Sequence, residues 1–239
     1  MPTTELGVDI LPQPDDSTCG PTCLHAVYGY HGDLLPLDRV IGEVTPLVSG
    51  GTLGVFLGIH ALKRRYDATL YTYNLDIFDP SWFESDPSQI AARLTAQIQV
   101  KDGERLRVAT HAYLDFLELG GRIRFEELRP EIIRRHLTAG EPILTGLSAT
   151  YLYGCSREIE RGGRLEYDSV RGEPVGHFVV VHGYDAATDS VLVADPLHEN
   201  RFGSHNYRVG VVRLLGAVLL GVLTYDGNLL VVRPREEDA

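Results

Sequence analysis

The stretch Thr18-Cys19-Gly20-Pro21-Thr22-Cys23 is where the reading of this chain begins. A polar loop ends there and an apolar, helix-spaced run through Leu24, Val27 and Tyr28 begins, so a helix is expected from Cys19 to about Tyr30. Ser17 or Thr18 is placed to cap it, Pro21 suits a first turn that needs no N–H, and Gly32 ends it. A thiol at a helix N-terminus lies where the peptide dipoles favour negative charge, and the thiolate is the reactive form. Gly20, with no side chain, would let a substrate approach the backbone closely.

Three distant residues complete a chemistry for that thiol. Gln13 lies six positions upstream of Cys19. Far downstream, Gly176-His177 opens the β-branched run Phe178 to Tyr184, Asp185 to Asp189 makes a turn, and the strand Ser190 to Ala194 ends at Asp195. Two such strands pair antiparallel, which sets His177 beside Asp195. His177 is then the base that activates Cys19 and the acid that serves the leaving group, with Asp195 orienting the imidazole. The Cys19 backbone N–H and the Gln13 side-chain amide are the candidate donors to an oxyanion. Gly176 and Tyr153 are candidate substrate contacts, as is Gly20.

Composition bounds the partners. The 239 residues are 44% apolar and 23% charged, enough to bury a core without disulfides or metal. A net charge of −11 argues against nucleic acid, whose phosphates call for a surplus of Lys and Arg. Three cysteines, Cys19, Cys23 and Cys155, do not make a secreted disulfide framework, and Cys19 and Cys23 stand one helical turn apart, so reduced thiols in the cytoplasm are expected. Met1 to Leu11 has neither a basic nor an apolar signal-peptide region. The most apolar segment, Val209 to Leu223, is too short to span a bilayer and contains Arg213.

Further elements follow from periodicity and punctuation. Helices are expected at Leu37 to Val44, Leu53 to about Arg65 with Thr52 as its cap, Ser88 to Val100, Thr110 to Leu119, from about Pro130 to Gly140, and Val209 to about Leu220. Strands are expected at Ala68 to Leu75, Ile143 to Leu147 and Asn228 to Val232. Helices dominate about 13–140 and strands about 141–235, an α+β pattern in a single domain over 1–239.

Simpler roles fit the remaining candidates. Cys23 is one turn deeper than Cys19 on the apolar face and reads as core, and Cys155 reads as a structural thiol. His182, an odd number of positions from His177, faces the other way in a regular strand and reads as structural. His25, His31, His60, His111, His136, His198 and His205 lack metal-ligand spacing, so neither a metal nor another cofactor is expected.

Gln13…Cys19-Gly20-Pro21, the run Gly176-His177-Phe178-Val179-Val180-Val181-His182-Gly183-Tyr184-Asp185 and Val193-Ala194-Asp195-Pro196 resemble the double-glycine (bacteriocin-leader-processing) peptidase-like family of papain-like cysteine peptidases. The resemblance implies a papain-like fold, a helical lobe followed by an antiparallel β-sheet lobe. It also implies Gln13 as oxyanion donor, Cys19 as nucleophile, His177 as base and Asp195 as orienter. The middle of the chain, roughly Leu34 to Ser169, carries no such motif. The expected activity is hydrolysis of a peptide or amide bond through an acyl-enzyme on Cys19. Two other readings share the fold: acyl or peptidyl transfer by the same thiol, and a non-catalytic domain that grips a peptide. The partner is a peptide or another amide-containing molecule, and nothing in the sequence specifies an oligomeric state.

Overall fold

Strands that read as almost unbroken apolar runs are buried on both faces, and two such runs form the middle of this molecule. The computed structural model describes residues 3–235 apart from 49, 86 and 163, so the ends of the expected 1–239 domain lie outside the described residues. In chain order the first half contains β1 (Thr4–Glu5), α1 (Cys19–Tyr30), α2 (Leu37–Glu43), α3 (Gly54–Lys63), β2 (Tyr66–Thr72), α4 (Ser81–Ser85), α5 (Ile90–Val100), α6 (Glu104–Glu118) and β3 (Arg122–Arg124). The second half contains α7 (Pro130–Thr138), β4 (Ile143–Ser148), α8 (Ala149–Tyr153), β5 (Glu158–Arg161), β6 (Arg164–Tyr167), β7 (Gly176–Asp185), β8 (Ser190–Ala194), β9 (Asn206–Gly210), α9 (Val211–Leu220) and β10 (Asn228–Pro234).

One sheet runs β3-β2-β10-β4-β7-β8-β9, with β1 beside the far end of β7, and β5-β6 forms a separate hairpin. The last strand therefore lies between β2 and β4, antiparallel to both. Only β2 and β3 pair in parallel among these ladders. Alternation along β7 divides the core. Phe178 and Val180 pack with Leu24, Val27, Leu57 and Phe116 from α1, α3 and α6. Val179 and Val181 pack with Ile133, Leu152 and Leu214 from α7, α8 and α9. Each fully buried side chain of this size is worth roughly 1.5–3 kcal/mol of transfer free energy. The architecture is α+β, with helices against both faces of a mostly antiparallel sheet.

Several local expectations change in the structure. Neither Ser17 nor Thr18 caps α1 through its side chain; both hydroxyls are held by Asp15. Thr52 does not cap α3 either, because its hydroxyl donates to the Thr45 carbonyl, and the Gly54 N–H that opens α3 donates to Asp226. Helix α6 begins at Glu104, earlier than expected, and its inner face runs Leu106, Ala109, Tyr113 and Phe116. Residues 206–210 form β9, where Tyr207 and Val209 point inward at a spacing of two, and the following helix starts only at Val211. Among the described residues no helix is long and apolar enough to cross a membrane.

Candidate active site

Helix α1 begins at Cys19 and packs against β7, whose second residue is His177. The Cys19 side chain lies near enough to the His177 imidazole to favour its charged form. Strand register supplies the third residue. Val180 pairs with Ala194, so continuing the ladder by one residue sets Asp195 opposite Val179, on the same face as His177 and two positions along. His177 Nε2 lies 2.9 Å from Asp195 Oδ1. That contact leaves Nδ1 for the cysteine sulfur.

Asp195 is 0% exposed, and an unpaired carboxylate buried so deeply would be costly. Its oxygens are fully partnered. The Leu197 backbone N–H donates to Oδ1 at 2.9 Å. The hydroxyls of Tyr153 and Tyr207 donate to Oδ2 at 2.8 and 2.7 Å. Burial works to raise the Asp195 carboxyl, but the charge and hydrogen bond of His177, with the other donors, hold it below its ordinary value. Burial likewise opposes the His177 imidazolium. The charge and hydrogen bond of Asp195, then the interactions with Cys19, outweigh it and raise His177 to about 10. The imidazolium is the form present at neutral pH. Burial and the Asp195 charge push the Tyr153 and Tyr207 hydroxyls upward, which keeps them as donors.

Gln13 reaches the site through its backbone: its N–H donates to the Pro196 carbonyl at 2.9 Å, next to Asp195. One N–H of its side-chain amide donates to the Asp15 carbonyl at 2.8 Å, and its Oε1 is buried without a partner. The amide keeps a second N–H. At α1 the absence of a side-chain cap leaves first-turn N–H groups, that of Cys19 included, open to a ligand.

The surface around these groups is a cleft in two parts. A hollow of about 450 Å³ is lined by Cys19, Thr52, Phe178, Thr224 and Asp226, among others. A hollow of about 350 Å³ is lined by Gln13, Tyr153, Glu158 and His177, among others. Asp16, Leu165, Val175 and Gly176 line both. A larger hollow of about 570 Å³ lies along β3, and its described lining residues include neither cysteine nor histidine.

Of the expected substrate contacts, Gly176 stands where the two parts meet and Tyr153 lines one part while its hydroxyl is held by Asp195. Gly20 corrects the sequence reading: it lines neither part. A Cβ there would lie 2.7 Å from Thr52 Cγ2 and 3.3 Å from Phe178 Cδ2, so its missing side chain makes room for packing, not for substrate.

The other thiols and His182 are occupied elsewhere. The Cys23 thiol is buried and donates to the Phe178 carbonyl at 3.2 Å. Cys155 is half-buried away from both hollows. His182 has Leu6 O on one ring nitrogen and Asn206 Oδ1 on the other.

Sequence reasoning missed Tyr207 and Asp226. The alternating Asn206–Gly210 segment was the signal for Tyr207, obscured by the apolar run that begins at Val209. Asp226-Gly227 reads as a turn, and nothing in that pair announces a buried carboxyl.

The profile of the Peptidase_C39 like family matches residues 5–211. No curated protein matches the chain. Among solved structures, a C39-like peptidase from Bacillus anthracis is similar to the chain, with 14% identity, a TM-score of 0.53 and coverage of 99% of this chain and 100% of that one. A double glycine motif protease from an AMS/PCAT transporter, solved with the leader peptide, is 12% identical with a TM-score of 0.46, covering 97% and 95% of the two chains. Xylellain, a cysteine protease from Xylella fastidiosa, is 14% identical with a TM-score of 0.45, covering 99% and 87%.

Proposed function

Because the chain belongs to the Peptidase_C39 like family, we propose that it is a thiol hydrolase that cleaves a peptide or amide bond through an acyl-enzyme on Cys19. The observation that carries this reading is the series Cys19–His177–Asp195: the imidazole is within electrostatic reach of Cys19 and hydrogen-bonds a carboxylate sealed from water, and Cys19 lines a cleft.

In the first half-reaction the Cys19 sulfur attacks the scissile carbonyl carbon, and the carbonyl electrons move to oxygen. The Cys19 N–H and the free N–H of the Gln13 amide receive that oxyanion. Collapse breaks the C–N bond as the imidazolium of His177 gives its proton to the departing amine. The second half-reaction reverses the proton's direction. His177, now neutral, takes a proton from water, the hydroxide attacks the thioester carbon, and the C–S bond breaks, which releases the acid and leaves the Cys19 thiolate beside the recharged imidazolium. Asp195 keeps the ring orientation and the charged form throughout.

Mass spectrometry of Cys19 after incubation with an N-acetylated peptide ester tests the reading. A trapped acyl group on Cys19 that decays to free acid is expected, and a thiol that never acylates would overturn it. Repeating the reaction with an added amine separates hydrolysis from transfer: amide product without free acid would assign the acyl group to an amine acceptor.

A further inference from the structure

The cleft holding Cys19 is lined by more negative charge than catalysis needs. Asp16, Ser17, Thr52, Thr224 and Asp226 face the larger part with a single guanidinium, Arg105. The smaller part adds Glu158, Glu166 and Glu199 and no Lys or Arg among the described lining residues. Glu166 reaches Arg161 only at 3.9 Å. Half-buried Glu158 is raised by burial and by the neighbouring charge of Asp16.

A second, independent observation comes from Asp226. It is 5% exposed and faces the same hollow as the Cys19 sulfur. Its Oδ1 accepts the Gly54 N–H at 3.2 Å and the Asn228 amide at 3.4 Å. Its Oδ2 has no partner among the described residues. The chain keeps room for this carboxyl: a Cβ on Gly146 would lie 2.7 Å from Asp226 Cβ. Arg105 does not neutralise it by contact, since that guanidinium donates to the Thr224 carbonyl at 2.8 Å and stacks 4.7 Å over the Tyr225 ring.

Capping of α3 explains Oδ1 but not the open Oδ2. We infer that the cleft selects a cationic acyl donor, a peptide carrying lysine or arginine beside the scissile bond, with Asp226 as the carboxyl that receives that side chain and Glu158 extending the attraction across the smaller part. This inference rests on the proposed site, in that the selected bond is the one presented to Cys19. Burial raises Asp226 to about 7, against the opposing effects of its Gly54 and Asn228 hydrogen bonds and of Arg105. The buried Tyr113 side chain of α6 is within electrostatic reach of it. The preference therefore strengthens as pH rises through neutrality.

Charged thiol reagents test the cleft without any turnover. Cys19 is modified with a cationic and with an anionic methanethiosulfonate, followed by mass spectrometry, and the ratio of rates is compared with that of glutathione. The ratio is expected to favour the cation over the glutathione value by about tenfold or more at low salt. It should fall with added salt, and fall again in Asp226→Asn and Glu158→Gln. A ratio equal to that of glutathione, or unchanged in both variants, overturns the inference whether or not the protein is an enzyme.

Tetrapeptide coumarin amides with lysine, norleucine or glutamate scanned through each position then locate the subsite. A lysine preference that collapses towards the norleucine rate in Asp226→Asn supports the assignment. Turnover indifferent to charge overturns it while leaving the hydrolase reading intact.

Discussion

Asp195 shows how much a single residue depends on its neighbours. Alone it is a carboxylate at the end of a strand; here it is sealed from water and holds His177, Tyr153, Tyr207 and the Leu197 N–H. Tyr207→Phe keeps the ring that stacks on Phe202 and removes one donor to a buried charge. It is expected to cost about 1.5–3 kcal/mol in urea unfolding. Stability equal to the parent protein would show that the hydroxyl contributes nothing. At the reaction centre, Cys19→Ala should abolish turnover while leaving the unfolding midpoint in place, because the half-buried sulfur is only a small part of the core. Residual activity equal to the parent would remove Cys19 as nucleophile. Gln13→Ala should slow the reaction by about a hundredfold, the loss that goes with one oxyanion donor. An unchanged kcat would assign that role to another group.

At the scale of elements, the junction of α1 with β7 decides whether the sulfur meets the imidazole. The first turn of α1 fits because Gly20 leaves room for Thr52 and Phe178. Gly20→Ala is expected to overpack this junction at a cost of about 1–3 kcal/mol. Thr52→Ser removes the methyl that the new Cβ would strike and keeps the hydroxyl that bonds Thr45. The double variant should therefore recover part of the loss. A double-mutant cycle in denaturant with no coupling would show that the clash is relieved elsewhere. The ladder of β7 with β8 makes the other junction, and the irregularity between Val181 and Gly183 lies away from the end that carries His177, so it leaves the register at Val180 and Ala194 undisturbed.

Over the whole molecule, buried ionisable groups give stability a pH dependence whose sign can be worked out. Asp226 is raised to about 7, above the ~3.9 of an unfolded aspartate, so between those values the folded state binds more protons. Its contribution is present in acid and is lost as pH rises through about 7. His177, raised to about 10 from an unfolded value near ~6.5, contributes stability that is full below ~6.5 and disappears as pH passes about 10. Asp195 is lowered and acts oppositely: its contribution is present above ~3.9 and lost in stronger acid. Asp226→Asn should thus gain on the parent protein between about pH 4 and about pH 7, read from urea midpoints. Parallel curves across that range would rule out a buried, titrating Asp226. The chain by itself disclosed the α+β pattern, the helix at Cys19 and the β7–β8 hairpin, because local periodicity and turn residues are written in consecutive positions. It also carried Gln13, Cys19, His177 and Asp195, the residue types a thiol site needs. Tertiary structure alone placed β10 between β2 and β4, aimed Tyr207 at Asp195 and turned Asp226 into the Cys19 hollow. Those placements depend on which distant segments share buried surface, and no short-range spacing encodes that.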